Sequence, residues 1–226
     1  MLKCEELSKQ FVRNIKGSDS NVITAVKKTN LEFTGGEIVA IKGRSGSGKS
    51  TLLNMLSGLL CPTAGKVYFE TSDIYSMNDD ERSHFINSRF GYIPQSSGGI
   101  YSLNMIENIL LPSYLFKGDS KKVDNGFLDE LIEFFELKDL TNAFPGELSG
   151  GELRRMAVIR AILGHPDVIF ADEPTGDLDP DNTDRVFEVF RREAERGAGV
   201  IIVSHDEEVE KYADKVYTMS NGILKV

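Results

Sequence analysis

Residues 38–41 (Ile-Val-Ala-Ile) run directly into Gly43-Arg44-Ser45-Gly46-Ser47-Gly48-Lys49-Ser50, and residues 49–60 then read as a helix. A short apolar strand, a glycine loop matching G-x-x-x-x-G-K-[ST] and a helix, in that order, predict a phosphate loop in an α/β domain. The glycines let successive backbone N–H groups converge on phosphate oxygens at the positive end of the helix. Lys49 is then placed for β- and γ-phosphates, the Ser50 hydroxyl for Mg²⁺, and Thr51 for the neighbourhood of the α-phosphate. A glycine-rich surface turn is the bland alternative, and the flanking strand and helix disfavour it.

Size and charge narrow the rest. A chain of 226 residues fits one generous domain and buries a sizeable core unaided. The longest apolar runs, such as 168–171 and 200–203, fall far short of the ~20 residues a membrane span needs. No apolar stretch of the signal-peptide kind follows Met1-Leu2-Lys3-Cys4-Glu5-Glu6. Cys4 and Cys61 lie too far apart for a metal or redox motif and imply no disulfide framework, which suits a reducing compartment. The expectation is a cytoplasmic chain, with any membrane supplied by another polypeptide. The net charge of −9 argues against a nucleic-acid partner, because no basic excess is present to neutralise phosphates.

No internal repeat or low-complexity tract appears along the chain. Residues 66–70 and 90–94 read as short strands, and 168–172 and 200–204 as buried parallel strands, continuous and rich in β-branched residues. Between 95 and 166 the texture turns helical: Leu128, Leu131, Ile132 and Phe135 share one helical face over 128–137. Residues 149–163 repeat the pattern with Leu153, Met156, Ala157, Val158, Arg160 and Ala161. The expectation is a helical insertion in an α/β domain, with 117–126 as its flexible connection. Asn221-Gly222, between 216–219 and 223–226, is a hairpin signal.

Two further stretches carry chemistry. The strand 168–172 ends in Asp172 and is followed by Glu173. Asp172 is placed to hold Mg²⁺ through water and Glu173 to polarise an attacking water. Such a pair is often only a solvated turn, but here Pro174-Thr175-Gly176-Asp177-Leu178-Asp179 follows directly. In Leu148-Ser149-Gly150-Gly151-Glu152, Ser149 and Glu152 form a capping box, the ordinary start of a helix. An ordinary cap gains nothing from two glycines, each of which costs the helix about 1 kcal/mol relative to Ala. Glycines there let a phosphate approach closely and aim the helix's positive end at it.

With these motifs in one order, the chain resembles the ATP-binding-cassette (ABC) ATPases over essentially its whole length: Phe11, the phosphate loop, Gln95, Ser149-Gly150-Gly151, the acidic strand, the loop holding Asp177, and His205. The resemblance implies an α/β P-loop NTPase fold of the ABC-ATPase type, with a RecA-like α/β core and an antiparallel β subdomain. A helical subdomain would be inserted over 96–165, all within a single domain 1–226. It also implies two copies dimerising head to tail, with ATP between the phosphate loop of one and Ser149, Gly150, Gly151 and Glu152 of the other. Gln95 then corresponds to a Mg²⁺ ligand and hinge, His205 to the histidine that contacts the γ-phosphate, and Phe11 to an aromatic stacked on adenine. Asp177 belongs to the loop beside the nucleotide. Arg155 and Arg160 match the family, whereas Leu153 and Arg154 stand where a polar, often Gln-rich pair is usual, a departure expected to leave catalysis intact. His84 and His165 have no comparable setting.

The stretches 50–54 and 171–179 and the long segment between Phe11 and Leu31 look like the lipoprotein-releasing and macrolide-exporter branch, that of the LolD and MacB ATPases. This implies an integral-membrane permease with a large extracytoplasmic domain, met by residues 96–109, and a place on the inner face of the membrane. Bacitracin-type detoxification ATPases and the cell-division ATPase FtsE share the look, so a regulatory role without transport stays open. A soluble ABC ATPase is disfavoured by the acidic charge and the single cassette, and an inactive module by the filled catalytic positions.

Overall fold

The computed structural model describes residues 1–13, 21–96, 98–115 and 123–225. Among them, the predicted strands other than 66–70 assemble into a sheet ordered β10-β9-β3-β8-β7-β6. Its members are β3 (Ile38–Lys42), β6 (Phe90–Ile93), β7 (Val168–Asp172), β8 (Gly199–Ser204), β9 (Lys215–Ser220) and β10 (Ile223–Lys225). Every neighbouring pair is parallel except β9 and β10, the hairpin read at Asn221-Gly222. Both hairpin turn residues have left-handed φ, 48° and 76°, as the two-residue turn requires.

Alternation along these strands sorts the core into two layers. Ile38 and Ala40 of β3, Ile169 and Ala171 of β7, and Val200 and Ile202 of β8 face one cluster. Their neighbours Val39, Ile41, Val168, Phe170, Ile201 and Val203 face the other. Against the second face lies α1 (Lys49–Leu56), and beyond it an antiparallel sheet ordered β2-β1-β4-β5. That sheet is built from β1 (Leu2–Arg13), β2 (Asn21–Phe33), β4 (Ala64–Phe69) and β5 (Ser72–Asp73). Helix α1 is therefore sandwiched, with Leu52, Leu53, Met55 and Leu56 all fully buried. Each contributes roughly 1.5–3 kcal/mol relative to an exposed side chain. Phe69, Phe85, Phe90 and Phe170 meet edge to face and join the two sheets, Phe85 coming from α2 (Asp79–Arg89).

The first face is covered by α6 (Pro180–Glu195) and by the helices between β6 and β7: α3 (Met105–Leu115), α4 (Asn125–Phe134) and α5 (Gly150–Ile162). Most of the connection read at 117–126 lies outside the described residues. Two helices end earlier than their apolar patterns suggest. α4 stops at Phe134 because Glu136 takes a left-handed φ of 56°. Leu137 N–H then reaches back to Ile132 O and Glu136 N–H to Glu133 O, a Schellman closure whose trailing residue is apolar and buried. That buried Leu137 extends the apolar repeat past the helix itself. α1, expected to reach residue 60, ends at Leu56 because Gly58 is left-handed, with φ 80°.

Candidate active site

The C-terminal ends of parallel strands gather the loops that carry the predicted chemistry, the place where open α/β sheets bind ligands. After β3, the phosphate loop turns through left-handed glycines; a Cβ on Gly48 (φ 106°) would stand 2.3 Å from Ala25 O of β2. The C-terminal hairpin braces the loop from behind, Gly222 N–H donating to Ser47 O at 3.0 Å. No side chain caps α1 and no acid occupies its first turn, so its N–H groups and positive end stay available to an anion. Lys49, only 6% exposed, lays its Nζ along the loop, donating to Gly43 O at 2.7 Å and Arg44 O at 3.3 Å.

Asp172, at the end of β7, is 4% exposed and accepts a hydrogen bond from Ser50 Oγ at 3.1 Å. Burial raises its pKa; the Ser50 hydrogen bond opposes this, and the charge of Glu173 adds to it. Glu173 has left-handed φ of 50° and donates its N–H to Val203 O at 2.9 Å, which turns its carboxylate toward the end of β8. There it accepts from Ser204 Oγ at 2.9 Å and from the His205 N–H at 3.0 Å, and His205 Nδ1 lies 2.8 Å from its Oε1.

One groove of about 320 Å³ is lined by Ser45, Gly46, Gly48, Lys49, Ser50, Thr51, Gln95, Glu173 and His205, with Ala25 as its only contribution from β2. Thus loops following β3, β6, β7 and β8 converge on one groove. Phe11 is not in its wall. It stands on β1 opposite Ile23, two residues from Ala25, 42% exposed and with Lys9 Nζ 5.3 Å from its ring.

Ser149, Gly150, Gly151, Glu152 and Asp177 do not line the groove. Ser149 caps α5 as read: its Oγ accepts from Glu152 N–H at 3.3 Å, and Glu152 Oε2 accepts from Ser149 N–H at 2.6 Å. A Cβ on Gly150 would find its nearest neighbour, Asp177 Cβ, at 3.7 Å, and on Gly151 the closest atoms at 3.5 Å. Neither glycine has positive φ. The fold of this chain therefore gives no reason for either to be glycine.

Sequence reasoning missed three contributors. Ala25 lies on a strand that was not read. Ser204 was read only as the end of β8, yet its hydroxyl holds Glu173. Arg154, read as part of a departure that leaves catalysis intact but alters the flanking contacts, is 2% exposed and donates to Pro94 O and Gln95 O. Helical spacing was the available signal, since 154 falls on the face of buried Val158 and Ile162.

The ABC transporter family model matches residues 26–176. The chain is 39% identical over 211 residues to the ABC transporter ATP-binding protein MJ1508 of Methanocaldococcus jannaschii, covering 93% of this chain and 94% of that one. It is 39% identical over 198 residues to the lipoprotein-releasing system ATP-binding protein LolD of Bdellovibrio bacteriovorus, covering 87% and 90%. It is 34% identical to the ABC transporter ATP-binding protein YtrE of Bacillus subtilis over 226 residues, 100% and 97%. Among solved structures, the dimeric post-hydrolysis state of the ATP-binding cassette MJ0796, bound to ADP and Pi, superposes with a TM-score of 0.89 at 30% identity, covering 100% of this chain and 98% of that one. From its groove to its relatives, this chain belongs to the ABC transporter family as one of its ATPase cassettes.

Proposed function

We propose that two copies of this cassette close head to tail on ATP, each supplying the phosphate groove of one site and the start of α5 to the other. The observation that carries this reading is the placing of Gly150 and Gly151: outside the groove, and unexplained by the packing or backbone of their own chain. Small residues at an exposed helix start suit an approach by phosphate from a second molecule. The dimeric state of the similar cassette MJ0796 supports it.

In the proposed reaction, Lys49 and the loop N–H groups hold the phosphates, and Glu173 takes a proton from the attacking water as general base. His205 contacts the γ-phosphate, and Phe11 stacks on adenine. Ser50 Oγ and the Asp172 carboxylate, with Gln95 at the rim, form an oxygen donor set that suits Mg²⁺, which when bound would offset phosphate charge. Residues 96–165 act as a helical subdomain hinged at Gln95. No helix among the described residues is long and apolar enough to cross a membrane. The cassette is proposed to reach the inner face of the membrane through a separate permease with an extracytoplasmic domain, and to have no nucleic-acid partner. Exposed Ile100 and Tyr101 offer apolar surface for that permease. LolD relatives at 34–39% identity favour extraction or export of lipoprotein-like or peptide cargo over a regulatory, FtsE-like role.

The test is to trap the closed state with Glu173→Gln and ATP and to measure its mass. Dimer formation that needs ATP supports the reading, and a monomer at saturating ATP sinks it. Recovering the trapped protein from detergent-solubilised membranes and identifying its partner by mass spectrometry then separates export from regulation.

A further inference from the structure

We propose that Arg154 is a positioning residue for ATP hydrolysis: its guanidinium fixes the main chain of Gln95 to the helix that begins at Ser149-Gly150-Gly151. The proposal rests on the ATPase reading above and on Gln95 serving the groove.

Three segments meet at this one side chain. Nη1 of Arg154 donates to Pro94 O at 2.7 Å and Nη2 to Gln95 O at 2.5 Å. These carbonyls lie where the chain leaves β6 for the helices between β6 and β7. Arg154 itself lies on α5, one turn beyond Gly150 and Gly151. On its other side is the turn after Glu173, since a Cβ on Gly176 would stand 3.8 Å from Nη2. Asp177, Asp172 and Glu173 supply the negative charge around it. A cation only 2% exposed is costly to bury; its two Nη groups are spent on consecutive carbonyls while its Nε has no hydrogen-bond partner. A planar fork serves two such acceptors from two separate nitrogens held in one fixed geometry, which a single ammonium or amide nitrogen does not reproduce.

The consequence is mechanical. Gln95 lines the groove while its carbonyl is tied to α5. A shift of the Ser149-Gly150-Gly151 end of α5, which the proposed dimer uses to reach the partner's nucleotide, is thereby passed to Gln95 in this chain's own groove. Arg154 touches no nucleotide in this scheme; it acts through Gln95.

A double-mutant cycle on the full chain tests this, using wild type, Arg154→Gln, Gln95→Ala and the double variant, with Arg154→Lys as a variant that keeps the buried charge. The expected result is a roughly tenfold loss of kcat in Arg154→Gln with KM for ATP moving less than about threefold, and no further loss when Gln95→Ala is already present. The Mg²⁺ concentration giving half-maximal rate should rise in Arg154→Gln and in Gln95→Ala alike. Arg154→Lys should fall between wild type and Arg154→Gln, and it carries the test if Arg154→Gln does not fold. Losses that multiply in the double variant, an unmoved Mg²⁺ dependence, wild-type kcat in either Arg154 variant, or no effect of Gln95→Ala would each overturn the proposal. A wild type that hydrolyses no ATP would instead overturn the ATPase reading, and this proposal with it.

Discussion

Nδ1 of His205 lies 2.8 Å from Oε1 of Glu173, so the two residues proposed to face the γ-phosphate from opposite roles touch each other directly. Ser204 Oγ and the His205 N–H bind the same carboxylate. A carboxylate holding two donors is oriented, and charge-assisted hydrogen bonds of this kind are strong. With Nδ1 beside Glu173, Nε2 is the other polar atom of the ring.

The first prediction concerns the base. Glu173→Gln keeps the size of the side chain and its acceptor oxygen but removes the capacity to take a proton. Turnover should fall by at least about a hundredfold while ATP binding is retained, read by steady-state phosphate release and nucleotide titration. Near-normal turnover would remove Glu173 from the role of base.

Ser204 supplies the second. Its hydroxyl donates to Glu173 and accepts from the Asp206 N–H at 3.0 Å, in a site only 4% exposed. Ser204→Ala leaves both partners short and should cost about 1 kcal/mol of stability as well as lowering kcat. Ser204→Thr retains the hydroxyl and should keep both. Chemical denaturation together with ATPase assays reads the two effects; equal loss of kcat in the Ala and Thr variants would assign the effect to packing.

What the sequence disclosed, and what it hid, follows from where local physics is decisive. The phosphate loop, β7, β8 and the Asn221-Gly222 hairpin were legible because glycine geometry and unbroken apolar runs leave few options. β1 was not, because its alternation is interrupted: Leu2 and Cys4 face the core, then a register shift with Glu6 at φ 49° brings in Leu7 instead of residue 6. α2 has no buried residue and hence no apolar stripe to read, although its Asn78 and Glu81 capping box was visible in principle. α6 carried a full set of marks, with Asp179 as cap, Pro180 at the first position and an apolar face at Val186, Phe187 and Phe190, and went unread beside the acidic strand. Arg154 was hidden by the general rule that arginines stay in water.

A third prediction follows from Asp172, whose pKa burial raises in the folded protein. A carboxyl group of this kind supports the fold fully below its unfolded pKa, and that support is lost as pH rises through the folded value. At neutral pH its charge is therefore a cost. Asp172→Asn should melt higher than wild type at pH 7, and the gap should close toward pH 4. Mg²⁺ should raise the melting temperature of wild type, since a ligand of the folded state stabilises it, but not of the variant. Calorimetry at two pH values with and without Mg²⁺ reads all of this, and a variant that melts lower at pH 7 would contradict it.

The last prediction sets two glycines against each other. Gly48 has φ of 106° and no room, its Cβ falling 2.3 Å from Ala25 O. Gly48→Ala should therefore destabilise the protein by about 2 kcal/mol or more, and any loss of activity would be inseparable from damage to the loop. Gly151 has ordinary helical backbone, and a Cβ there meets nothing closer than 3.5 Å. Gly151→Ala should leave stability unchanged or raise it by up to about 1 kcal/mol, yet abolish ATP-dependent dimerisation and turnover, because in the proposed dimer the added methyl would stand where the partner's nucleotide approaches. Thermal melts, mass measurement with ATP and phosphate release on the two variants separate a glycine kept for its own fold from one kept for a neighbour. A Gly151→Ala protein that dimerises and turns over normally would leave the second glycine of α5 without the role assigned to it.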